Sequence, residues 1–388
     1  MKTRRIIWLI LWILSVVAIS FYGGAVSYGF FFCITLLPII SLIYLICVFA
    51  GFRIYQEIES RNIVCRQPMP YYFVLQNGER YAFAGVSAKL FSGLSYVEEM
   101  PDATEYELLP EDRYTFRTNL VCNYRGEYEV GVKEVVITDF FQMFRFKYKN
   151  PGTIKAVVYP RIIRKNELRS IRDVTAYLCR ENDKAKTEPD VVVRDYIAGD
   201  ALKYIHWKAS AKELKLKTRN FIGEEQKNVV FFYDTRRYGS TLYEYLPLEN
   251  QMLEILLGAG YFFAEKNIGF EVWSHSNGLK RCKVEGTGDY ERFYQETAHA
   301  VFDTQEKGNA VFEDLAIQGA FAGTNVVIAI LHKIDEQLIS VVKQLSETGV
   351  WVILYIVTDK NIEEYLKQSS NRLQILAVPV QAELEGWL

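Results

Sequence analysis

The sequence predicts an α+β multidomain chain in which a two-helix transmembrane hairpin precedes an antiparallel β-sandwich-like domain and then an α/β domain. Three observations carry this expectation. No charged residue occurs between Ile6 and Phe52, a run too long for one soluble core helix and long enough for two bilayer crossings. From Tyr55 to Pro160 the apolar runs become short and alternating, with turn residues between them. Beyond residue 226, fully apolar strands alternate with helical periods, the pattern of a mainly parallel sheet covered on both faces.

The apolar run divides at Gly23-Gly24-Ala25-Val26-Ser27-Tyr28-Gly29, which makes residues 1–54 a transmembrane hairpin. A cleaved signal peptide would account for the first segment alone, but a second apolar run follows at once. Lys2, Arg4 and Arg5 precede the first helix and Arg53, Arg61 and Arg66 follow the second, while the loop between carries no charge. The positive-inside rule then puts both ends, and everything after Arg53, on the cytoplasmic side.

Residues 55–160 form the β-domain, with strands expected over Tyr71–Leu75, Tyr114–Asn119 and Glu127–Ile137. Residues 161–226 form a connecting region that begins with the most polar stretch of the chain. Residues 227–388 carry apolar strands at Val229–Tyr233, Phe270–Ser274, Val326–Leu331, Trp351–Val357 and Leu373–Val378, with an edge strand at Lys280–Val284. Helices are expected over Glu249–Lys266, Tyr290–Val301, Ala310–Phe321, Asp335–Thr348 and Ile362–Gln368. The 26 Tyr and 24 Phe suit strand-rich cores, and a net charge of −2 gives no reason to expect nucleic acid. The six cysteines are scattered without a C-x-x-C pair, so they read as buried thiols.

Arg194 to Phe221, RDYIAGDALKYIHWKASAKELKLKTRNF, is the densest pattern in the chain. It reads as a strand through Val191–Tyr196, a turn at Ala198-Gly199, a short helix capped by Asp200 and a second strand over Leu214–Phe221. In that second strand Leu216, Thr218 and Asn220 share one face and Lys215, Lys217 and Arg219 the other. Arg194 is expected to pair with a carboxylate such as Asp200, and Trp207 to be buried between the β-domain and the α/β domain.

The run R-[DE]-Y-x-x-G-D-x-L-x-x-I-[HD]-W-K-x-S-A-K resembles the signature of the bacterial domain-of-unknown-function family 58. The matching positions are Arg194, Asp195, Tyr196, Gly199, Asp200, Leu202, Ile205, His206, Trp207, Lys208, Ser210, Ala211 and Lys212, with Arg219 in the basic strand that follows. Arg125-Gly126-Glu127-Tyr128 and the segment Asp139–Phe144 also resemble that family's R-G-x-Y and D-P-F-G-L-F, with departures at Phe140, Gln142 and Met143. Val158-Tyr159-Pro160 is a further family-like mark. The resemblance implies that residues 227–388 form a von Willebrand factor A-like, Rossmann-like domain. It also implies a place in the bacterial inner membrane beside a MoxR-type AAA+ ATPase and a transglutaminase-like membrane protein.

That fold often holds a metal on D-x-S-x-S after its first strand. Here the loop reads Asp234-Thr235-Arg236-Arg237-Tyr238, with two guanidinium groups where hydroxyl ligands would be. Fixed positive charge opposes a hard cation, so no metal and no cofactor is expected. Arg236, Arg237, His332 and Lys333 are instead candidates for contacting an anion or an acidic partner. None of His206, His275, His299 and His332 lies in a recognisable catalytic motif, and no phosphate-binding G-x-x-x-x-G-K-[ST] is present. The basic series Lys203, Lys208, Lys212, Lys215, Lys217 and Arg219 is diluted by Glu213, Glu224 and Glu225 and reads as a solvated face. The expectation is therefore a non-enzymatic membrane-tethered scaffold or adaptor. The alternatives are a hydrolase or transferase centred on Asp195, Asp200 and His206, and a binding module for an anionic ligand.

Overall fold

Two apolar helices, α1 (Lys2–Tyr22) and α2 (Ala25–Gly51), open the chain in a computed structural model. The structure describes residues 2–100, 103–165, 168, 171–185, 189–197, 202–221, 228–275, 278–304 and 308–387. Both helices are long and apolar enough to cross a membrane. Only Gly23 and Gly24 separate them, at φ of 55° and 94°, so the turn is shorter than the Gly23–Gly29 stretch predicted for it. Pro38 lies inside α2 and has no N–H for the carbonyl of Ile34. The Trp8 indole of α1 donates to that carbonyl at 2.9 Å, and Trp12 donates to Thr35 Oγ1 at 3.2 Å.

The last turns of α2 present two faces, with Ile43, Ile46 and Phe49 exposed and the opposite side covered. Leu45, Val48 and Gly51 are buried. The Tyr44 hydroxyl donates to Ala82 O at 2.8 Å and accepts from Ala84 N at 3.0 Å. Phe49 packs on Phe146 and Tyr148 at ring separations of 4.8 and 5.2 Å. One face of the final third of α2 thus packs on the β-unit that follows.

The strands of that unit are β1 (Phe52–Ile58), β2 (Asn62–Val64), β3 (Pro68–Asn77), β4 (Phe83–Leu90), β5 (Ser95–Val97), β6 (Ala103–Leu108), β7 (Arg113–Cys122), β8 (Gly126–Val130), β9 (Val132–Thr138), β10 (Arg145–Lys149) and β11 (Ile154–Tyr159). They form sheets ordered β1-β3-β7-β5, β10-β9-β4-β6 and β2-β11-β8 around Tyr71, Phe73, Phe83, Leu120 and Ile137. The pairing of β2 with β11 is parallel, which corrects the expectation of a purely antiparallel domain. The predicted strand Glu127–Ile137 is broken at Gly131, where φ is 83° and the chain passes from one sheet to another. A Cβ at Gly131 would run into the side-chain amide of Gln56 and lie 3.1 Å from the Tyr71 hydroxyl. Cys65 and Cys122 are buried as predicted, whereas Cys33 is exposed on α2.

Asp139 organises the loop between β9 and β10. Its carboxylate accepts from the backbone N–H groups of Phe141 and Phe144 and from the Ser41 hydroxyl of α2. Gln142, which stands where the resembled motif has Gly, takes a φ of 54° and donates its N–H to Asp139 O at 2.9 Å. The loop thus turns at Gln142 with neither the Pro nor the Gly of the resembled motif.

The chain divides into two compact units, Met1–Tyr159 and Pro160–Leu388. The second contains α3 (Arg172–Ala185), β12 (Pro189–Asp195), α4 (Trp207–Glu213), β13 (Lys217–Phe221), β14 (Asn228–Tyr233), α5 (Leu242–Glu265), β15 (Phe270–His275), β16 (Leu279–Val284), α6 (Thr287–Ala298), α7 (Gly308–Ile317), β17 (Thr324–Leu331), α8 (Glu336–Glu347), β18 (Trp351–Val357), α9 (Glu363–Leu366) and β19 (Leu373–Val378). A six-stranded sheet runs β16-β15-β14-β17-β18-β19. Its pairings are parallel except that of β16 with β15 at one edge. Alternate side chains of β14 supply opposite cores, Val229 and Phe231 joining the α5 and α6 side, Val230 and Phe232 the α7 and α8 side.

Helix α5 begins seven residues before the predicted Glu249, because Thr241 and Glu244 form a capping box and Pro247 in the second turn disguises the start. It is buried almost all round, polar groups included. Glu254 accepts from Arg161 Nε at 3.1 Å and Asn250 Nδ2 at 2.8 Å, and Gln251 donates to the carbonyls of Pro379 and Ala382. Breaking a buried pair of this kind by removing one partner costs about 3–5 kcal/mol.

The corner at Gly131 gives the first prediction. Gly131→Ala in the full chain should destabilise the protein by about 1–3 kcal/mol through a strained positive φ and the clash with Gln56. Thermal unfolding in detergent checks it, and an unchanged midpoint would show that the corner tolerates a side chain.

Candidate functional site

The signature folds as a small unit closed by backbone pairing. Strands β12 and β13 run antiparallel, with Arg194 opposite Thr218 and Asp195 opposite Lys217. The Tyr196 N–H donates to Leu216 O at 2.9 Å, and Ile205 bridges to Thr218. Leu202–Tyr204 makes one 3-10 turn, and α4 follows. Gly199 and Asp200 lie outside the described residues, and with them the predicted Asp200 cap and its pairing with Arg194. Arg194 Nη1 donates to the Asp195 carbonyl at 3.1 Å.

The cap of α4 is His206, whose Nδ1 accepts from Ala209 N at 3.1 Å. An accepting Nδ1 puts the ring proton of the neutral imidazole on Nε2. Asp is also a strong capping residue, so the His or Asp of the resembled signature both place an acceptor at this point. Ser210 is buried, and its Oγ accepts from Lys217 N at 2.8 Å, tying helix to strand. Lys217 Nζ lies 2.7 Å from Asp195 and 2.9 Å from Glu213. That bridge holds the Asp195 carboxyl below its usual range, and hydrogen bonds to Asp195 and Glu213 raise the Lys217 ammonium. Leu214 adopts the left-handed conformation at φ 53°, so the second strand starts at Lys217 and not at Leu214 as predicted.

Within its own compact unit Trp207 is no part of the core, being 68% exposed. It has company, since Ile197, Leu202 and Leu214 are 64%, 68% and 91% exposed and belong to the same short unit. Lys208, Ala211, Lys212 and Arg219 are exposed as well. Of the four large apolar residues, only Trp207 is expected from the sequence to be buried, because a Trp in a dense motif looks like core. Seven residues of helix are too few to bury a whole apolar face.

A second constellation lies beyond the carboxyl ends of β14 and β17. Asp234 is buried, accepting from Arg236 N at 2.8 Å and from the Tyr238 hydroxyl at 2.7 Å, and burial pushes its carboxyl up from the usual range. The His332 ring is 4.5 Å from that of Tyr238, and its Nδ1 donates to Val357 O at 2.7 Å. Burial holds the His332 imidazole below its ordinary range, so its neutral form is favoured. Arg236 and Lys333 both lie over the Tyr238 ring, at 5.5 and 5.3 Å from its centre. Arg237 leaves this group. Its Nε pairs with buried Glu249 at 2.9 Å and its guanidinium lies 4.1 Å over Tyr245. Three of the four candidates for anion contact therefore meet at Tyr238, a residue that the sequence placed only as the end of a degenerate loop. Among the described residues no three His, Cys, Asp or Glu side chains gather as a metal cage.

No known protein family and no curated protein matches this chain. Among solved structures, the Pseudomonas fluorescens alkylpurine DNA glycosylase AlkC, bound to DNA with an abasic site analogue, aligns at 14% identity over 38% of this chain and 42% of its own, with a TM-score of 0.17. A Bacteroides uniformis beta-glucuronidase aligns at 9% identity over 84% of this chain and 45% of its own, with a TM-score of 0.16. The chain thus spans less than half of either protein, and similarity at this level carries no argument about fold or activity.

The cap geometry predicts that His206→Ala destabilises the protein by about 0.5–2 kcal/mol, while His206→Asp retains most of the stability. Denaturant titration of the two variants separates them. Equal losses would mean that the imidazole serves something other than the helix end.

Proposed function

We propose that this protein is a non-enzymatic, membrane-tethered scaffold or adaptor whose signature unit is a docking surface for a partner protein. The observation that carries this reading is the exposure of Ile197, Leu202, Trp207 and Leu214 together, amid Lys208, Lys212 and Arg219. Large apolar side chains rimmed by charge mark contact surfaces, and Trp is the most frequent anchor in them. A hydrolase reading would rest on His206 and Asp195, and both are engaged in local structure, one as a helix cap and the other against Lys217.

In this reading α1 and α2 form a transmembrane hairpin in a bacterial inner membrane with both ends cytoplasmic. The bonds from Arg4 Nη1 to Phe141 O and from Arg5 Nε to Met143 O support it, since they join the start of α1 to the unit that follows α2. The three-sheet unit is a sandwich-like domain, and the six-stranded sheet belongs to a von Willebrand factor A-like domain. The partner that the family resemblance suggests is a MoxR-type AAA+ ATPase, with a transglutaminase-like membrane protein in the same assembly. Arg236, Lys333 and Tyr238 receive an acidic side chain of that partner in place of a metal bridge.

Two outcomes test this. Trp207→Ala combined with Leu214→Ala should abolish co-purification of the host's MoxR-type ATPase with the detergent-solubilised full chain, while stability changes by no more than about 0.5 kcal/mol, as for surface sites. Retained capture would remove the signature from the interface. Arg236→Ala combined with Lys333→Ala should weaken the same capture without sensitivity to chelator, and binding that chelator abolishes would instead require a metal.

A further inference from the structure

We infer that the loop Asp139–Phe144 is a second membrane contact, which inserts Phe140 and Phe141 among the headgroups and upper acyl chains of the leaflet beside Arg4 and Arg5. The inference rests on the membrane-tethered reading of α1 and α2 and deepens it.

The loop is built to present these two rings. Asp139 is buried at its centre and holds the N–H groups of Phe141 and Phe144, while Met143 is tucked inward. Phe140 is left 71% exposed, edge-on to Phe141 at 5.5 Å. Water is a poor solvent for such a pair, and aromatic rings beside cations are the usual furniture of a membrane interface. The resembled family motif has Pro where this chain has Phe140, so the exposed ring belongs to this sequence.

Its depth follows from chain length. The charge-free part of α1, from Ile6 to Tyr22, rises about 25 Å at 1.5 Å per residue, less than the roughly 30 Å hydrocarbon core. Arg4 and Arg5 therefore lie at the hydrocarbon boundary and not beyond it. Arg4 Nη1 donates to Phe141 O at 3.3 Å and Arg5 Nε to Met143 O at 2.7 Å, and the Arg5 guanidinium lies 5.9 Å over the Phe144 ring. The loop is thus held at that boundary from one helix, and from the other through Ser41 and Asp139.

Behind the two rings an apolar groove of about 390 Å³ opens between Ile40, Tyr44, Leu109, Phe140 and Phe141. It is continuous with the outward face of α2, where Ile39, Ile40 and Ile43 are exposed. Because that face meets lipid in the tethered reading, the occupant of the groove is a phospholipid acyl chain.

The test uses the full chain in vesicles of phosphatidylcholine and phosphatidylglycerol whose acyl chains carry bromine at a shallow position. Phe140→Trp adds one tryptophan, read as the difference from the parent, with Phe141→Trp as a second site and Tyr96→Trp as a control on an exposed strand. Of the parent's six tryptophans only Trp8 and Trp12 lie on the two apolar helices, so the part of the parent emission lost on replacing both by Phe reports the anchor itself. The expected result is loss of emission at the added tryptophan of Phe140→Trp and Phe141→Trp, shielding from aqueous iodide, and neither effect for Tyr96→Trp. If Trp8 and Trp12 are quenched but the tryptophan at the loop stays open to iodide, the inference fails and the tether stands. Shielding from iodide without quenching by bromine also overturns it, because protein then covers the loop. If even Trp8 and Trp12 escape quenching, the tethered reading falls and this inference with it.

Discussion

The second apolar helix ends inside a β-unit and not in water, and the N-terminal unit is arranged around that fact. Gly51 is followed directly by the first residue of β1, so no linker separates helix from sheet. Val48 and Gly51 are buried, Phe49 lies against Phe146 and Tyr148, and Tyr44 exchanges hydrogen bonds with Ala82 and Ala84. The Tyr44 hydroxyl both donates and accepts here, and the Phe52 N–H donates to Val48 O, as a low-dielectric site demands. The same requirement acts within the helix pair, where the carbonyl that Pro38 leaves without a helical donor is taken by the indole of Trp8. A displacement of α1 would expose that carbonyl and loosen the loop held by Arg4 and Arg5.

In the second unit, buried carboxylates decide which arginines are paired, although Arg237 itself stays 42% exposed. Helix α5 carries Glu249 and Glu254 into regions closed to solvent, and each carboxylate takes one arginine, Arg237 and Arg161 respectively. Arg236 is left beside Tyr238 with Lys333 for this reason, and its neighbour Arg237 is not. Asp234 could have opposed an anion at this point. Burial raises its affinity for a proton, and the bonds from Tyr238 and the Arg236 N–H spread what charge it carries, which leaves a surface of positive character.

The signature residues divide into two physical kinds. His206, Ser210, Lys217 and Asp195 close the unit by a cap, a helix-to-strand bond and an ion pair. Trp207, Leu202, Ile197 and Leu214 contribute little to that closure and face outward. A stretch can be densely patterned for both reasons at once.

The sequence alone determined the elements whose period is strong: the two apolar helices, the five apolar strands of the large sheet and its antiparallel edge strand. Trp351–Val357 and Leu373–Val378 were legible to the residue because short runs so rich in β-branched and aliphatic residues have few other solutions. Tertiary structure decided what depends on partners distant in the chain. The buried side of the last third of α2, Leu45, Val48 and Gly51, is not marked in the sequence, and the strand through Gly131 looks continuous until two sheets claim its halves. That His206 caps α4 could not be read from the sequence, because its ring nitrogen serves only once the backbone brings Ala209 to it. Arg237 could not be separated from Arg236 by reading alone, since the distinction lies in a buried carboxylate twelve positions away that only the folding of α5 against the sheet brings within 2.9 Å.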